Sequence, residues 1–172
     1  MNYAAIKTHD IANGVGVRVS LFVSGCEHAC PACFNPEAWA FTFGKPYTPE
    51  TEAAILKALE PEYIRGLSLL GGEPLHPHNR ATICALAEHV RKAYPEKDIW
   101  CYSGYLFDRE LLPASESNPV LRRLLEQIDV LVDGRFIEAK KNLGLRFRGS
   151  ENQRILLVKE SLRAGRLIFW DH

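Results

Sequence analysis

Three cysteines, Cys26, Cys30 and Cys33, fall within eight positions at the spacing C-x3-C-x2-C, whereas Cys84 and Cys101 stand alone. Three thiolates this close on an irregular loop can wrap one compact metal centre. A structural zinc site usually asks for four ligands in paired C-x2-C halves. A fourth ligand here would have to be His28, Cys84 or Cys101, none of them at a familiar spacing. A 4Fe-4S cluster held by three cysteines leaves one iron without a protein ligand, and a chelating substrate can use that vacancy. The spacing alone leaves both centres open. Cys84, beside Ile83 and Ala87 in a helical pattern, and Cys101, in an apolar strand, read as small buried hydrophobes.

Further segments carry polar groups of the right kind. In Gly71-Gly72-Glu73-Pro74, paired glycines let a ligand approach the backbone, and the following carboxylate suits an ammonium group. A plain strand-to-helix turn with Glu73 at the helix entrance is the alternative. Asp133-Gly134 follows a buried strand and offers a carboxylate for a ribose or for a partner's loop, against an Asx-type turn. Ser103-Gly104 has the same ambiguity. Arg18 is expected on a solvated strand face, and His28, His76 and His78 as loop histidines.

The elements that must position these residues alternate. Val17, Val19, Leu21 and Val23 recur at period two and predict a strand that exits through Gly25 into the cysteine loop. Thr48-Pro49 caps a helix to about Leu59, and Gly66 to Leu70 is a short buried strand. A helix over 79–94 stops at Pro95, and the strand Asp98 to Tyr102 follows. Asn118-Pro119 starts a helix to Gln127, Val130 to Val132 is a strand, and Gln153 to Val158 another. Strands alternating with helices imply crossovers and a mainly parallel sheet. The expected fold is α/β, an incomplete, curved (β/α) barrel with mainly parallel strands; an open doubly wound sheet is the runner-up. Ligands in such folds bind beyond the carboxyl ends of the strands, where all of these segments fall.

Composition sets the bounds. The 172 residues are expected to form a single domain, residues 1–172, too short for an eight-stranded barrel of about 250 residues. Lys and Arg total 21 and Asp and Glu 21, so binding to nucleic acid by bulk charge is not expected. Even charge predicts partner recognition by shape, with association only moderately sensitive to salt. The longest apolar run, Ile83 to Ala87, is five residues, and no membrane association is expected. The opening MNYAAIKTHD has no export-signal pattern, so a cytoplasmic location with reduced cysteines is the expectation.

With these residues in place, the chain resembles the radical S-adenosylmethionine superfamily, and more closely its glycyl-radical-enzyme activases. The resemblance is carried by Asn13 to Arg18, by Phe22-Val23-Ser24-Gly25-Cys26, by Cys30-Pro31-Ala32-Cys33-Phe34-Asn35-Pro36 and by Leu70 to Pro77. Lys97 to Trp100, Val130 to Phe136 and Arg148-Gly149-Ser150 with Asn152-Gln153 extend it to about Gln153. It implies a 4Fe-4S cluster on Cys26, Cys30 and Cys33. It also implies S-adenosyl-L-methionine as cosubstrate, against Ala32, Cys33, Phe34, Gly71, Gly72, Glu73 and Asp133. No side chain is implied as a separate catalytic group, because the chemistry is the cofactor's. The implied partner is the glycyl radical subunit of an anaerobic ribonucleoside-triphosphate reductase, which would lose one glycine Cα hydrogen, and the implied electron donor is a protein such as a flavodoxin. Two departures stand out: Ala32 precedes the third cysteine where many members have an aromatic residue, and Val15 replaces a common proline. A metabolite-directed enzyme of the same superfamily and a noncatalytic metal module are the rival readings.

Overall fold

The structure is a computed structural model that describes residues 1–171. Strand β1 (Asn2–Asp10) turns through Gly14 and Gly16 into β2 (Val17–Val23). A 3-10 turn at Pro36–Trp39 and the two-residue β3 (Lys45–Pro46) lead to α1 (Pro49–Leu59) and β4 (Ile64–Gly71). Next come α2 (Arg80–Ala93), β5 (Asp98–Ser103), a π-helical turn at Phe107–Leu111, α3 (Leu112–Glu116) and α4 (Pro119–Gln127). Strands β6 (Val130–Asp133) and β7 (Arg154–Leu157) and helix α5 (Val158–Ala164) complete the order.

All seven strands join one sheet in the order β3-β1-β2-β4-β5-β6-β7, which does not close on itself. The expectation of mainly parallel strands needs correction. The central strands β2, β4, β5 and β6 are parallel, but β1, β3 and β7 pair antiparallel to their neighbours. The architecture is therefore α/β with a mixed, open sheet. Antiparallel pairing at β7 follows from its connection, because 134–153 contains only a 3-10 turn at Glu138–Lys140, not the helix that a parallel crossover uses.

Local signals explain the helices. Thr48 Oγ1 accepts the Thr51 N–H, and the Thr48 N–H donates to Thr51 Oγ1 in return, a capping box ahead of Pro49 at the first helical position. Asn118 caps α4 through the Leu121 N–H, 2.9 Å away. One face of the sheet packs against α1, α2 and α4 in the main core, which includes Leu21, Leu69, Cys101, Ile55, Leu86 and Leu124. Each such fully buried aliphatic side chain contributes about 1.5–3 kcal/mol. Among the described residues the other face carries no such helix layer; there Trp100, Val130, Val132 and Ile155 pack with Tyr102, Phe147 and Trp170. Because side chains alternate along a strand, this face also holds Arg18 and Phe22 of β2 and Ser68 and Leu70 of β4. Among the described residues no helix is long and apolar enough to cross a membrane.

Candidate metal centre

The carboxyl ends of β2, β4, β5 and β6 open into one cavity of about 490 Å³. Cys26, Cys30 and Cys33 line it together with Gly71, Gly72 and Glu73, and Phe34 stands at the rim, 65% exposed. The loops are tied by backbone. Gly25 N–H donates to Ala38 O at 2.7 Å and Cys26 N–H to Trp39 O at 3.0 Å, so the cysteine loop closes on the turn that follows it. Gly72 N–H donates to Val23 O and Glu73 N–H to Gly25 O, both at 2.8 Å, binding the end of β4 to the start of that loop. A Cβ on Gly72 would lie 2.6 Å from Gly25 O, so only glycine permits this approach.

The donor set is consistent. All three cysteines are free thiols, partly exposed. Cys33 Sγ accepts the Asn35 N–H at 3.4 Å, and the backbone of His28 at Cys26 and of Phe136 at Cys30 favours the thiolate of each. Hydrogen bonds of this kind stabilise thiolate charge around a bound metal group and tune it. Burial nevertheless pushes the Cys26 thiol up to about 11 and raises Cys30 as well. Cationic iron would be needed to hold them deprotonated. Three free thiols from one loop facing one cavity are the donor chemistry that fits a metal cluster. Among the described residues, no three His, Cys, Asp or Glu side chains close on the point a single ion would occupy.

Glu73 is buried and its carboxylate is fully engaged. Oε1 accepts from Leu75 N–H at 3.0 Å and Ser103 O–H at 2.9 Å. Oε2 accepts from Gly104 N–H and faces His28 Nε2, both at 2.8 Å. Its backbone carbonyl accepts from the buried Asn79 amide, which also donates to Ser24 O. Ser103-Gly104, ambiguous in sequence, is thus part of this assembly, and His28 is more than a loop histidine: its ring packs edge-on against Tyr105 at 4.5 Å.

Two expected site residues are not brought into the cavity. Ala32 adopts a left-handed conformation, φ 55°, in the turn between Cys30 and Cys33, and does not line the cavity. Asp133 is fully buried and absent from the lining; Oδ1 accepts from Arg154 Nε at 2.8 Å, and Oδ2 from Phe107 N–H at 2.7 Å and Arg154 Nη2 at 2.5 Å. Its neighbour Gly134 lines the cavity instead. Arg18 also departs from expectation. It is fully buried, paired with Asp98 at 2.6 Å and hydrogen-bonded to Ser68 Oγ at 2.7 Å, because it lies on the sheet face that carries Trp100, with its guanidinium 5.5 Å from the centre of that ring. Arg135, Phe136 and Arg148 line the cavity wall, although residue types alone gave no signal for them.

Residues 12–156 match the model of the family described as "4Fe-4S single cluster domain", so the cavity with its three cysteines is that of an iron–sulfur protein. The chain is 42% identical over 155 residues to the anaerobic ribonucleoside-triphosphate reductase-activating protein of Pasteurella multocida, covering 89% of this chain and 95% of that one. It is equally 42% identical to the protein of that name from Escherichia coli, over 89% and 96%. The phage T4 protein of the same name is 40% identical over 159 residues, 90% of this chain and 93% of its own. The chain belongs to the family of anaerobic ribonucleoside-triphosphate reductase-activating proteins.

Proposed function

We propose that this chain activates an anaerobic ribonucleoside-triphosphate reductase by generating a glycyl radical on it. The observation that carries the reading is the loop on which three free cysteines line one cavity at the carboxyl ends of the parallel strands. Cys26, Cys30 and Cys33 hold a 4Fe-4S cluster there, and S-adenosylmethionine binds beside it. When bound, the two together supply the reductive cleavage whose product removes a hydrogen atom from a glycine of the partner. An electron donor such as a flavodoxin provides the electron.

The chain's own groups orient and enclose. Gly71 and Gly72 admit the cosubstrate against backbone, and Phe34, leaning on Phe136 at 5.0 Å, offers an apolar surface at the rim. Glu73 lines the cavity, but with its acceptor sites filled an ammonium group must share the carboxylate with His28 or displace that ring. Asp133 acts at a distance, by holding Arg154 and the turn at Phe107, not by touching the ribose. The sheet does not close on itself, which leaves room at the cavity mouth for a macromolecular substrate.

The test is anaerobic reconstitution with iron and sulfide, reduction with S-adenosylmethionine present, and then addition of the reductase carrying glycine deuterated at Cα. Release of 5′-deoxyadenosine containing deuterium, with a glycyl signal in electron paramagnetic resonance, supports the reading. Cleavage without any radical on the reductase removes the partner assignment, and a colourless protein holding one zinc ends the claim.

A further inference from the structure

We propose that the strap between Arg135 and Gly149 is the docking surface for an acidic, socket-bearing face of the partner polypeptide, with Leu143 as its apolar anchor. The inference rests on the reading of the cavity as the place where a partner's glycine is reached. The chain's formal charge is zero, but the total hides a local excess. From Arg135 to Gly149, five cations (Arg135, Lys140, Lys141, Arg146 and Arg148) stand against one carboxylate, Glu138. Arg135, Lys140, Lys141 and Arg146 are exposed. Of the five, only Arg135 has a carboxylate partner among the described residues, Glu110 at a loose 3.8 Å. Clustered charge of one sign acts within about 8 Å in physiological salt, so it matters to a surface that touches the strap and not to the distant field.

The strap is built to present its tip. At its base, Gln153 Oε1 accepts from Gly149 N–H and Ser150 N–H, Gln153 Nε2 donates to Gly134 O, and Asn152 Nδ2 donates to Arg135 O. At the tip, Asn142 Oδ1 accepts from Gly144 N–H at 2.9 Å, while its amide donates to Glu151 at 3.0 Å. This turn holds Leu143 88% exposed, between Lys140 and Arg146 in sequence. A preformed turn loses little entropy on binding, so an exposed leucine there is an efficient anchor. The strap also reaches the cysteine loop. The Lys141 ammonium lies over the Phe34 ring at 5.4 Å, and Phe136, Phe147 and Arg148 line the cavity. A partner seated on the strap would therefore be held beside the three cysteines.

A protein suits these features better than a nucleic acid. Affinity for a phosphate backbone comes from many distributed cations, and an apolar tip gains nothing there. A carboxylate-rich protein face with a leucine-sized socket meets both the charge and Leu143. Association should then weaken clearly with salt, although the total charge is even.

The test measures binding of the reductase to the reconstituted activating protein across a salt series. It compares wild type with Lys140→Glu/Arg146→Glu and with Leu143→Ser, and includes a duplex DNA control. The charge reversal should weaken binding about tenfold or more and flatten the salt dependence, and Leu143→Ser should weaken it about fivefold. Formation of 5′-deoxyadenosine with a chemical reductant and no reductase should stay within about twofold of wild type, since surface changes alter the fold little. Unchanged affinity in both variants overturns the proposal, as does equal loss of cleavage without the reductase. So does strap-dependent binding of DNA in place of the reductase. Wild-type cleavage with no reductase binding at any salt would instead remove the partner reading, and the docking surface with it.

Discussion

His28 Nε2 lies 2.8 Å from Glu73 Oε2, joining the middle of the cysteine loop to the carboxylate that also collects the Ser103 hydroxyl and the Gly104 N–H. One side chain thus latches three strand exits. A Cβ on Gly104 would collide with the His28 ring, so glycine at that position is what admits the ring.

The latch predicts a specific coupling. Gly104→Ala should push His28 off Glu73, and His28→Ala should cost about 1–3 kcal/mol by removing one partner of a buried carboxylate. In the His28→Ala background, Gly104→Ala has nothing to strike and should cost little more. A double-mutant cycle by urea unfolding should therefore show a coupling of about 1–2 kcal/mol, with iron retained poorly in Gly104→Ala alone. Additive costs would mean that Gly104 serves some other contact.

The proposed cluster predicts that the cysteines separate by role. Replacing Cys26, Cys30 or Cys33 by Ala should each abolish iron uptake, whereas Cys84→Ala and Cys101→Ala should keep it. The latter two are buried thiols, raised by burial, that pack in the main core, so their loss should appear as a modest fall in stability. Iron analysis after reconstitution decides the matter; a full complement in Cys30→Ala would remove it from the ligand set.

Much of this arrangement was legible in the sequence because it sits where pattern and punctuation agree. Strand β2 and helix α4 fall where period-two alternation and the Asn118-Pro119 start put them. Strand β1 gives no period-two signal because it lies next to the sheet's edge and only Asp10 of it is buried, so its residues need no alternation. The reach of Arg18 was hidden for a related reason: a long guanidinium can be buried wherever backbone carbonyls meet it, here Leu67 O at 2.9 Å and Val15 O at 3.0 Å. Strand-end position was readable for Asp133, but not the direction of its side chain, which depends on register. Gly134, one residue on, faces the cavity. The part played by His28 had no signal at all beyond its place between Cys26 and Cys30.

Asp133 should behave as a structural carboxylate. Hydrogen bonds to Asp133 and then to Asp108 hold the Arg154 guanidinium well above its ordinary range. Arg154→Met would leave a buried carboxylate without its cation and should cost about 3–5 kcal/mol. Asp133→Asn, which keeps the shape and an acceptor, should cost about 1–3 kcal/mol. S-adenosylmethionine affinity of the reconstituted Asp133→Asn protein, measured by calorimetry, should stay close to wild type. A large loss of affinity with stability intact would return Asp133 to the cosubstrate.

Asp129 gives the fold a defined dependence on pH. Burial alone would raise its pKa, but hydrogen bonds from Lys159 at 2.5 Å, Arg91 at 2.6 Å and the Ile99 N–H at 2.8 Å outweigh burial and hold the carboxyl below its usual range. The folded value is then lower than the unfolded one of about 3.9. Stabilisation from Asp129 is accordingly complete above that unfolded value and is lost as pH falls through the folded one. Asp129→Asn should cost about 1–3 kcal/mol at pH 7, because charge-assisted bonds to α2, β5 and α5 weaken together. Urea unfolding of the metal-free protein at a series of pH values should show a constant gap between wild type and variant from pH 7 to about 5, shrinking below about 4. A gap that widens toward acid would require Asp129 to be protonated in the folded protein, and the three-way tie between these elements would then have to be held by something other than its charge.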